Sequence, residues 1–203
     1  MTQAATTRAA TTQAATTRAA TTLEWASIDT PVGPVSAGCG PAGVAEVRFG
    51  PPPDGAGESG AGESGGAREL ARAARRQLAE FFAGRRTAFE LPLDWSGFGP
   101  AQRQVLGLLY ADVGYGQTVT YGTLAGLAGV PSGPDVIPAR AVGQIMGSNP
   151  IPVIVPCHRV VASDGLGGYS GGAGPEVKRW LLILEGSMPP TLDWVPARAP
   201  EDA

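Results

Sequence analysis

Residues 149–172, NPIPVIVPCHRVVASDGLGGYSGG, contain the features around which the rest of the sequence can be organised. The apolar run at 151–155 is short and rich in β-branched residues, which predicts a buried strand. Pro156 ends that run, and Cys157, His158 and Arg159 follow it directly. The chain has two cysteines and one histidine. This stretch therefore predicts a strand that ends beside a thiol, the sole imidazole and a guanidinium.

The Cys157–His158 pair has a structural interpretation and a chemical one. A buried cysteine often serves as a small apolar side chain. A nucleophilic thiolate instead needs a cation or a proton acceptor close by. Neighbouring side chains on a strand point to opposite faces, so a chemical role requires a turn at Cys157 or a water between the two groups. Glu185 is a candidate to orient the imidazole, whereas Cys39, placed between glycines in a predicted turn, is expected to be structural.

Composition and charge exclude several classes of protein. The chain has 203 residues, 16% of them charged, with a net charge of −3. It has no apolar run near the ~18 residues of a membrane-spanning helix. Two cysteines and one histidine exclude a disulfide framework and a zinc site built only from these residues, and free cysteines suit a reducing compartment. Because residues 98–186 are neutral overall, a nucleic-acid role could not depend on bulk charge.

Apolar periodicity predicts a mostly helical second half. Thr120 is a candidate N-cap, and Pro138 and Pro175 suit the first turns of helices. A long turn at 130–138 separates two helices, which is consistent with a helix-turn-helix. The predicted helices lie at about 68–82, 102–113, 120–129, 138–147 and 175–186.

The first half combines short strands with low-complexity segments. Strands are predicted between 25 and 35, at 44–49 after a turn at 40–43, and at 89–91. The predicted division is a disordered tail at 1–22, an N-terminal α/β domain at 23–96 with a flexible loop at 50–66, a C-terminal domain at 97–186 and a tail at 187–203. The first tail is a ten-residue repeat without large apolar side chains, and its lack of acid also faintly resembles a transit peptide.

The stretch 149–172, with its Pro-Cys-His-Arg-Val core at 156–160, resembles the active-site motif of the 6-O-methylguanine-DNA methyltransferases, which repair alkylated DNA. TVTYGTLAGLAG at 118–129 and ARAVGQIMGSNP at 139–150 resemble the two helices of that family's helix-turn-helix. IDTPVGPV at 28–35 and QLAEFFAGRRTAFELPLD at 77–94 resemble its N-terminal domain. The resemblance implies an α/β (α+β) chain with a small ribonuclease-H-like N-terminal domain. A helical C-terminal domain, with a winged-helix-like helix-turn-helix, would follow.

The family's roles carry over to matching residues. Cys157 would take the alkyl group. His158, acting through a water and oriented by Glu185, would remove the proton of the Cys157 thiol. Tyr121 would contact DNA and protonate the departing guanine, and Asn149 would hold the turn before the predicted strand.

The resemblance also implies a DNA face and a base pocket. Arg140 would enter the duplex as a finger, with Ala139 and Gly143 beside it on the DNA. The backbone around Val160 and Ser170, together with Tyr169, would bind the guanine.

The expected partner is double-stranded DNA containing alkylated guanine, and 4-O-methylthymine is a further candidate substrate. No cofactor, metal or membrane is expected, and some members' zinc ligands are missing here. The chain would be a monomer in a bacterial cytoplasm, associated with the nucleoid.

The turn VPSGPDVIP at 130–138 is longer than the family pattern, which leaves other functions open. A lesion-binding protein without chemistry is one alternative, although such relatives lack the cysteine that is present here. A thiol hydrolase would draw its Cys and His from distant segments. A transcription regulator would use the helix-turn-helix alone, and the absence of a basic surface argues against it.

Overall fold

A three-stranded antiparallel sheet opens the part of the chain that the computed structural model describes, which is residues 23–55, 65–134, 136–172 and 174–190. Strands β1 (Glu24–Ile28), β2 (Val35–Gly40) and β3 (Gly43–Phe49) pair in chain order. The predicted tail at 1–22, most of the loop at 50–66 and most of the tail at 187–203 lie outside the described residues.

The placing of Cys39 in a turn was wrong, because it lies in β2, where every residue is buried. This strand has no alternation of polar and apolar residues to predict it, since both of its faces are covered. Gly38 lets the Trp25 ring pack directly on the strand, because a Cβ there would lie 2.8 Å from that ring. The turn at 40–43 is confirmed. Gly43 has a φ of +144° and packs so closely on Pro92 that a Cβ would lie 2.6 Å from its carbonyl oxygen.

Helix α1 (Gly65–Phe82) packs on the sheet through the apolar stripe seen in the sequence. The strand predicted at 89–91 was wrong. The Gln77 side chain donates to the Glu90 carbonyl at 3.2 Å and accepts from its N–H at 2.8 Å. Because these bonds occupy the groups that a ladder would need, only an isolated bridge forms nearby, between Leu93 and Val44.

The second half is helical, close to the predicted bounds. Thr120 is confirmed as an N-cap, because its hydroxyl accepts from the Thr123 N–H at 3.1 Å. A short parallel pair, which the sequence did not predict, joins β4 to β5. The elements are α2 (Pro100–Asp112), β4 (Val119–Thr120), α3 (Tyr121–Leu127), α4 (Pro138–Gly147), β5 (Val160–Val161) and α5 (Pro175–Leu184).

The apolar run at 151–155 is buried as predicted, but the predicted strand was wrong. Val153 has a φ of +73°, which lies outside the β region, and the Val155 N–H closes a turn by donating to the Ile151 carbonyl at 2.9 Å. The run is therefore a compact buried turn.

One apolar cluster runs through the sheet, α1 and the later helices. Phe82 of α1 stacks on Trp180 of α5, with ring centroids 5.7 Å apart. The site described below is therefore anchored to the first half of the chain. Among the described residues, no helix is both long and apolar enough to cross a membrane.

Candidate active site

The chain turns at Cys157, which settles how adjacent Cys and His side chains can serve one site. Residues Cys157–Arg159 form a single turn of 3-10 helix. The Cys157 N–H donates to the Val155 carbonyl at 2.8 Å, and the Arg159 N–H donates to that of Pro156 at 2.9 Å. The turn replaces the alternation of a strand, and all three side chains are buried.

Glu185, the C-terminal cap of α5, lies against the turn and holds two of its side chains. His158 Nε2 lies 2.8 Å from Glu185 Oε1. The Arg159 guanidinium donates to both carboxylate oxygens at 2.9 Å and to the Val113 carbonyl at 2.6 Å. The sequence analysis proposed Glu185 as the group that orients His158, and the two side chains lie in direct contact.

The charges within this cluster determine which nitrogen of His158 can act as a base. Burial alone would raise the pKa of Glu185, but the hydrogen bonds and charges of His158 and Arg159 lower it to about 2. Burial lowers the pKa of His158, against the opposing effect of Glu185. Glu185 is therefore ionised and His158 neutral at pH 7, so Nε2 carries the proton that bonds to the carboxylate. The buried Nδ1 has no partner in the described protein and keeps a free lone pair.

The Cys157 thiol is buried, which raises its pKa. The Asn149 amide and the charge of Lys178 act in the opposite direction. The buried hydroxyl of Tyr169 lies close to the thiol and also lowers its pKa. The resting cysteine is consequently a thiol, and its reaction requires a base that removes the proton as attack begins.

Asn149 fastens the buried turn at 149–155, as the resemblance implied. Its Oδ1 accepts from the Ile151 N–H at 3.0 Å, and its Nδ2 donates to the Val155 carbonyl at 2.9 Å. These bonds fix the chain immediately before Cys157.

Tyr121 forms one wall of the site. Its hydroxyl donates to the Gly168 carbonyl at 3.1 Å, and burial followed by the charge of Cys157 raises its pKa, so it stays protonated. Gly167 allows the close approach of the ring: its φ is +71°, and a Cβ there would lie 2.9 Å from Tyr121.

The sequence analysis did not identify Lys178 as a residue of the site, and it gave no structural role to Arg159. Lys178 is fully buried, and its Nζ donates to the Val160 carbonyl at 2.7 Å and to the Gly168 carbonyl at 3.0 Å. It also lies 5.6 Å from the centroid of the Tyr121 ring. The only sequence signal was that Lys178 is the sole lysine of the chain, on the apolar face of a helix.

Cys157 borders an apolar cavity of about 330 Å³, the lower end of the size range of small-molecule sites. Five residues predicted from the resemblance line it with Cys157, namely Tyr121, Ala139, Gly143, Tyr169 and Ser170. Met146, Gly147 and Gly168 complete the wall.

Two predicted residues lie elsewhere. Arg140 is exposed on α4, outside the cavity. Val160 does not line the cavity, and its backbone is engaged: its N–H donates to the Cys157 carbonyl, and its carbonyl accepts from Lys178. Across the described ranges, no group of three or more His, Cys, Asp or Glu side chains could hold a metal ion.

Comparison with known proteins assigns the chain to a family. A model of the 6-O-methylguanine DNA methyltransferase DNA-binding domain matches residues 100–187. The methylated-DNA–protein-cysteine methyltransferase of Mus musculus is 54% identical over 84 residues, which are 41% of this chain and 37% of the mouse protein. The chain thus spans less than two fifths of that relative's length.

Two further matches cover a larger share of both chains. The protein of the same name from Methanosarcina acetivorans is 42% identical over 120 residues, 59% of this chain and 71% of that protein. Mycobacterium tuberculosis OGT, in a crystal structure with DNA, aligns with a TM-score of 0.62 at 34% identity, covering 81% of this chain and 93% of that one. With this coverage added to the geometry around Cys157, the chain belongs to the methylated-DNA–protein-cysteine methyltransferase family.

Proposed function

We propose that this protein repairs DNA by moving the alkyl group of a 6-O-alkylguanine onto Cys157, once per molecule. The observation that carries the proposal is a cysteine on the wall of an apolar cavity, in one turn of 3-10 helix with a histidine that an ionised carboxylate orients. This arrangement supplies a nucleophile, a base and a space for a flat aromatic group. DNA is the expected partner because the matched family domain is a DNA-binding domain.

The reaction begins with proton removal from Cys157. The free lone pair on His158 Nδ1 accepts the thiol proton through a water, and Glu185 stabilises the imidazolium that forms. The sulfur then attacks the alkyl carbon in line with the guanine oxygen. A carbon–sulfur bond forms, the carbon–oxygen bond breaks, and its electron pair moves into the purine.

The departing purine needs a proton, which Tyr121 donates from the cavity wall as general acid, and the proton taken up by His158 then returns to the Tyr121 oxygen. The products are an unmodified guanine and a thioether on Cys157. A thioether to a saturated carbon resists hydrolysis because a thiolate is a poor leaving group, so each molecule reacts once.

The alkyl group of a base inside a duplex is out of reach, so the nucleotide has to leave the stack, at a cost of a few kcal/mol. In this proposal Arg140 fills the gap, with Ala139 and Gly143 against the DNA. Tyr169 and the backbone near Ser170 and Val160 hold the base. Because the backbone N–H and carbonyl of Val160 already have partners, we expect Ser170 to make more of the hydrogen bonds to the base.

The proposal includes the architecture and setting that the resemblance implied. The sheet with α1 would be a reduced ribonuclease-H-like domain, and α3 with α4 a winged-helix-like helix-turn-helix. The protein would act as a monomer on double-stranded DNA, in a bacterial cytoplasm and near the nucleoid. 4-O-Methylthymine would be a secondary substrate.

The test is the intact mass of the protein after mixing with a duplex that contains one 6-O-methylguanine, followed by peptide mapping. We expect the mass of one methyl group on the Cys157 peptide, saturating at one per molecule. No mass gain with tighter binding to the methylated duplex than to its unmethylated twin would support a lesion-binding protein. No gain and no preference would overturn the proposal.

A further inference from the structure

The long turn before α4 presents apolar side chains to solvent. Val136 is 45% exposed and Ile137 is 58% exposed, and they are adjacent in the chain. Single exposed apolar residues are ordinary. Two adjacent exposed β-branched residues at a turn are less ordinary.

Ile137 stands where a helix would normally have a capping residue. It is the N-cap of α4, and its side chain makes no capping bond. Ser, Thr, Asp and Asn are preferred at this position because their oxygens accept from the free N–H groups, and Ile is among the worst residues there. In the neighbouring helix α3, Thr120 fills the same role as expected. An unfavourable residue at a defined position points to a function that offsets the cost.

Backbone hydrogen bonds hold the exposed pair at both ends. Gly133 and Val136 exchange backbone hydrogen bonds of 3.2 Å and 3.5 Å, and Pro138 fixes the first position of α4. The Ile137 carbonyl accepts from the N–H groups of Arg140 at 2.9 Å and Ala141 at 3.1 Å. The exposed pair is thus coupled to the first turn of the helix that carries Arg140.

That first turn borders the cavity. Ala139, two residues after Ile137, lines the cavity that contains Cys157. A duplex that delivers a nucleotide to this cavity has to pass close to residues 136–140. The apolar pair is therefore continuous with the DNA face that we propose, and Arg140 beside it adds charge that suits phosphates.

We propose that Val136 and Ile137 form an apolar wedge that packs against the bases next to the extruded nucleotide and so stabilises the opened duplex. This inference rests on the proposed function. Apolar side chains inserted at a base step offset the cost of unstacking in other DNA-bending proteins. Arg140 would occupy the gap, and the wedge would cover the exposed face of the neighbouring base pair.

The test compares the full-length protein with three variants, Ile137→Ser, Val136→Ser and the double variant. The measurements are the transfer rate to Cys157 from a methylated duplex and from the free 6-O-methylguanine base, the Kd for the methylated duplex, and Tm. We expect the double variant to lose about 10-fold or more in duplex rate and affinity, with the free-base rate within about twofold. This loss should be similar at low and moderate salt, since no phosphate contact is removed.

The stability of Ile137→Ser separates a DNA role from a structural one. Serine is a better N-cap than isoleucine, so Tm should stay constant or rise while duplex repair falls. Ile137→Leu should retain most of the activity. Leu127→Ser is the matched control, because Leu127 is an apolar residue of the same helix pair, 62% exposed, at the end of α3.

Several outcomes would overturn the wedge. These are an unchanged duplex rate and Kd in the double variant, an equal loss with the free base, or an equal loss in Leu127→Ser. If the parent protein transfers nothing to Cys157, the proposed reaction fails instead. In that case the Kd values alone decide whether Val136 and Ile137 contact DNA.

Discussion

The protein holds the groups behind Cys157 and the face that we propose for DNA in opposite ways. Behind Cys157, the side chains of His158, Arg159 and Glu185 are buried and joined by hydrogen bonds of 2.8 to 2.9 Å. At the start of α4, by contrast, Val136, Ile137 and Arg140 are exposed. One region is determined by protein contacts alone, and the other presents side chains whose partners, in our proposal, come from DNA.

This difference separates two kinds of mutational effect. A change behind Cys157 should alter reactivity with any substrate and destabilise the fold, because buried charges lose their partners. A change on the DNA face should alter the reaction with duplex DNA and leave stability and small substrates almost unaffected.

Replacing the nucleophile should abolish the reaction and spare recognition. We expect Cys157→Ala to show no detectable transfer, because no other thiol borders the cavity, while binding to a methylated duplex persists. Cys39→Ala is the control: burial in β2 raises the pKa of Cys39 to about 12, and its removal should leave transfer intact. Intact mass measures transfer and a duplex-binding titration measures binding, for each of the two variants. Loss of binding together with transfer would mean that Cys157 is structural.

Neutralising the carboxylate should slow the reaction with every substrate. In Glu185→Gln, no charge stabilises the imidazolium, so we expect transfer from both duplex and free base to fall about 100-fold. Arg159 also loses its counter-charge, which should cost roughly 3–5 kcal/mol of unfolding free energy. Glu80→Gln is the control, because it breaks a part-exposed pair with Arg86 and should cost under about 1 kcal/mol. A slower transfer from the duplex with an unchanged rate from the free base would contradict this role of Glu185.

The contribution of Glu185 should also depend on pH. Its pKa is lowered from 4.5 to about 2 in the fold, so its stabilisation is fully present above pH 4.5 and lost as the pH falls through 2. The difference in unfolding free energy between the parent protein and Glu185→Gln should therefore shrink across this interval. Urea titrations at several acidic pH values measure it. A constant difference down to pH 2 would contradict the assignment of the ionised carboxylate.

Removing the finger should give the smallest effect and the most selective one. We expect Arg140→Ala to slow transfer from the duplex about 10-fold and from the free base less than twofold, with no change in Tm. Loss of one cation should also reduce the salt dependence of duplex binding by about one unit of slope. Arg103→Ala, an exposed arginine on α2, is the matched control. Equal losses on both substrates would remove Arg140 from the DNA face.

The sequence was informative where the signal is local. Periodicity, Thr120 and the two prolines predicted the helices of the second half, and Cys157 with His158 marked the site. Glu185 was a candidate because it ends a helix, and the resemblance gave it a role. The roles themselves still await the experiments above.

What could not be predicted depends on the backbone. Lys178 and Arg159 bind main-chain carbonyls of Val160, Gly168 and Val113. Every residue has such a carbonyl, so the sequence does not indicate which ones will be partners. The apolar run before Cys157 was interpreted as a strand because burial and β-branching suit one. Its actual turn depends on the positive φ of Val153 and on two bonds from Asn149.

Asn149 also affects how long the protein lasts chemically. Asparagine side chains age when the nitrogen of the following residue attacks the amide and forms a succinimide, which hydrolyses to aspartate. Here the following residue is Pro150, which has no N–H to provide that attack. An aspartate at this position would replace a donor to the Val155 carbonyl with an acceptor and loosen the turn. If each molecule reacts once, as we propose, it has to stay intact until it meets a lesion, and this Asn-Pro pair keeps the amide that fixes the chain before Cys157 from ageing by that route.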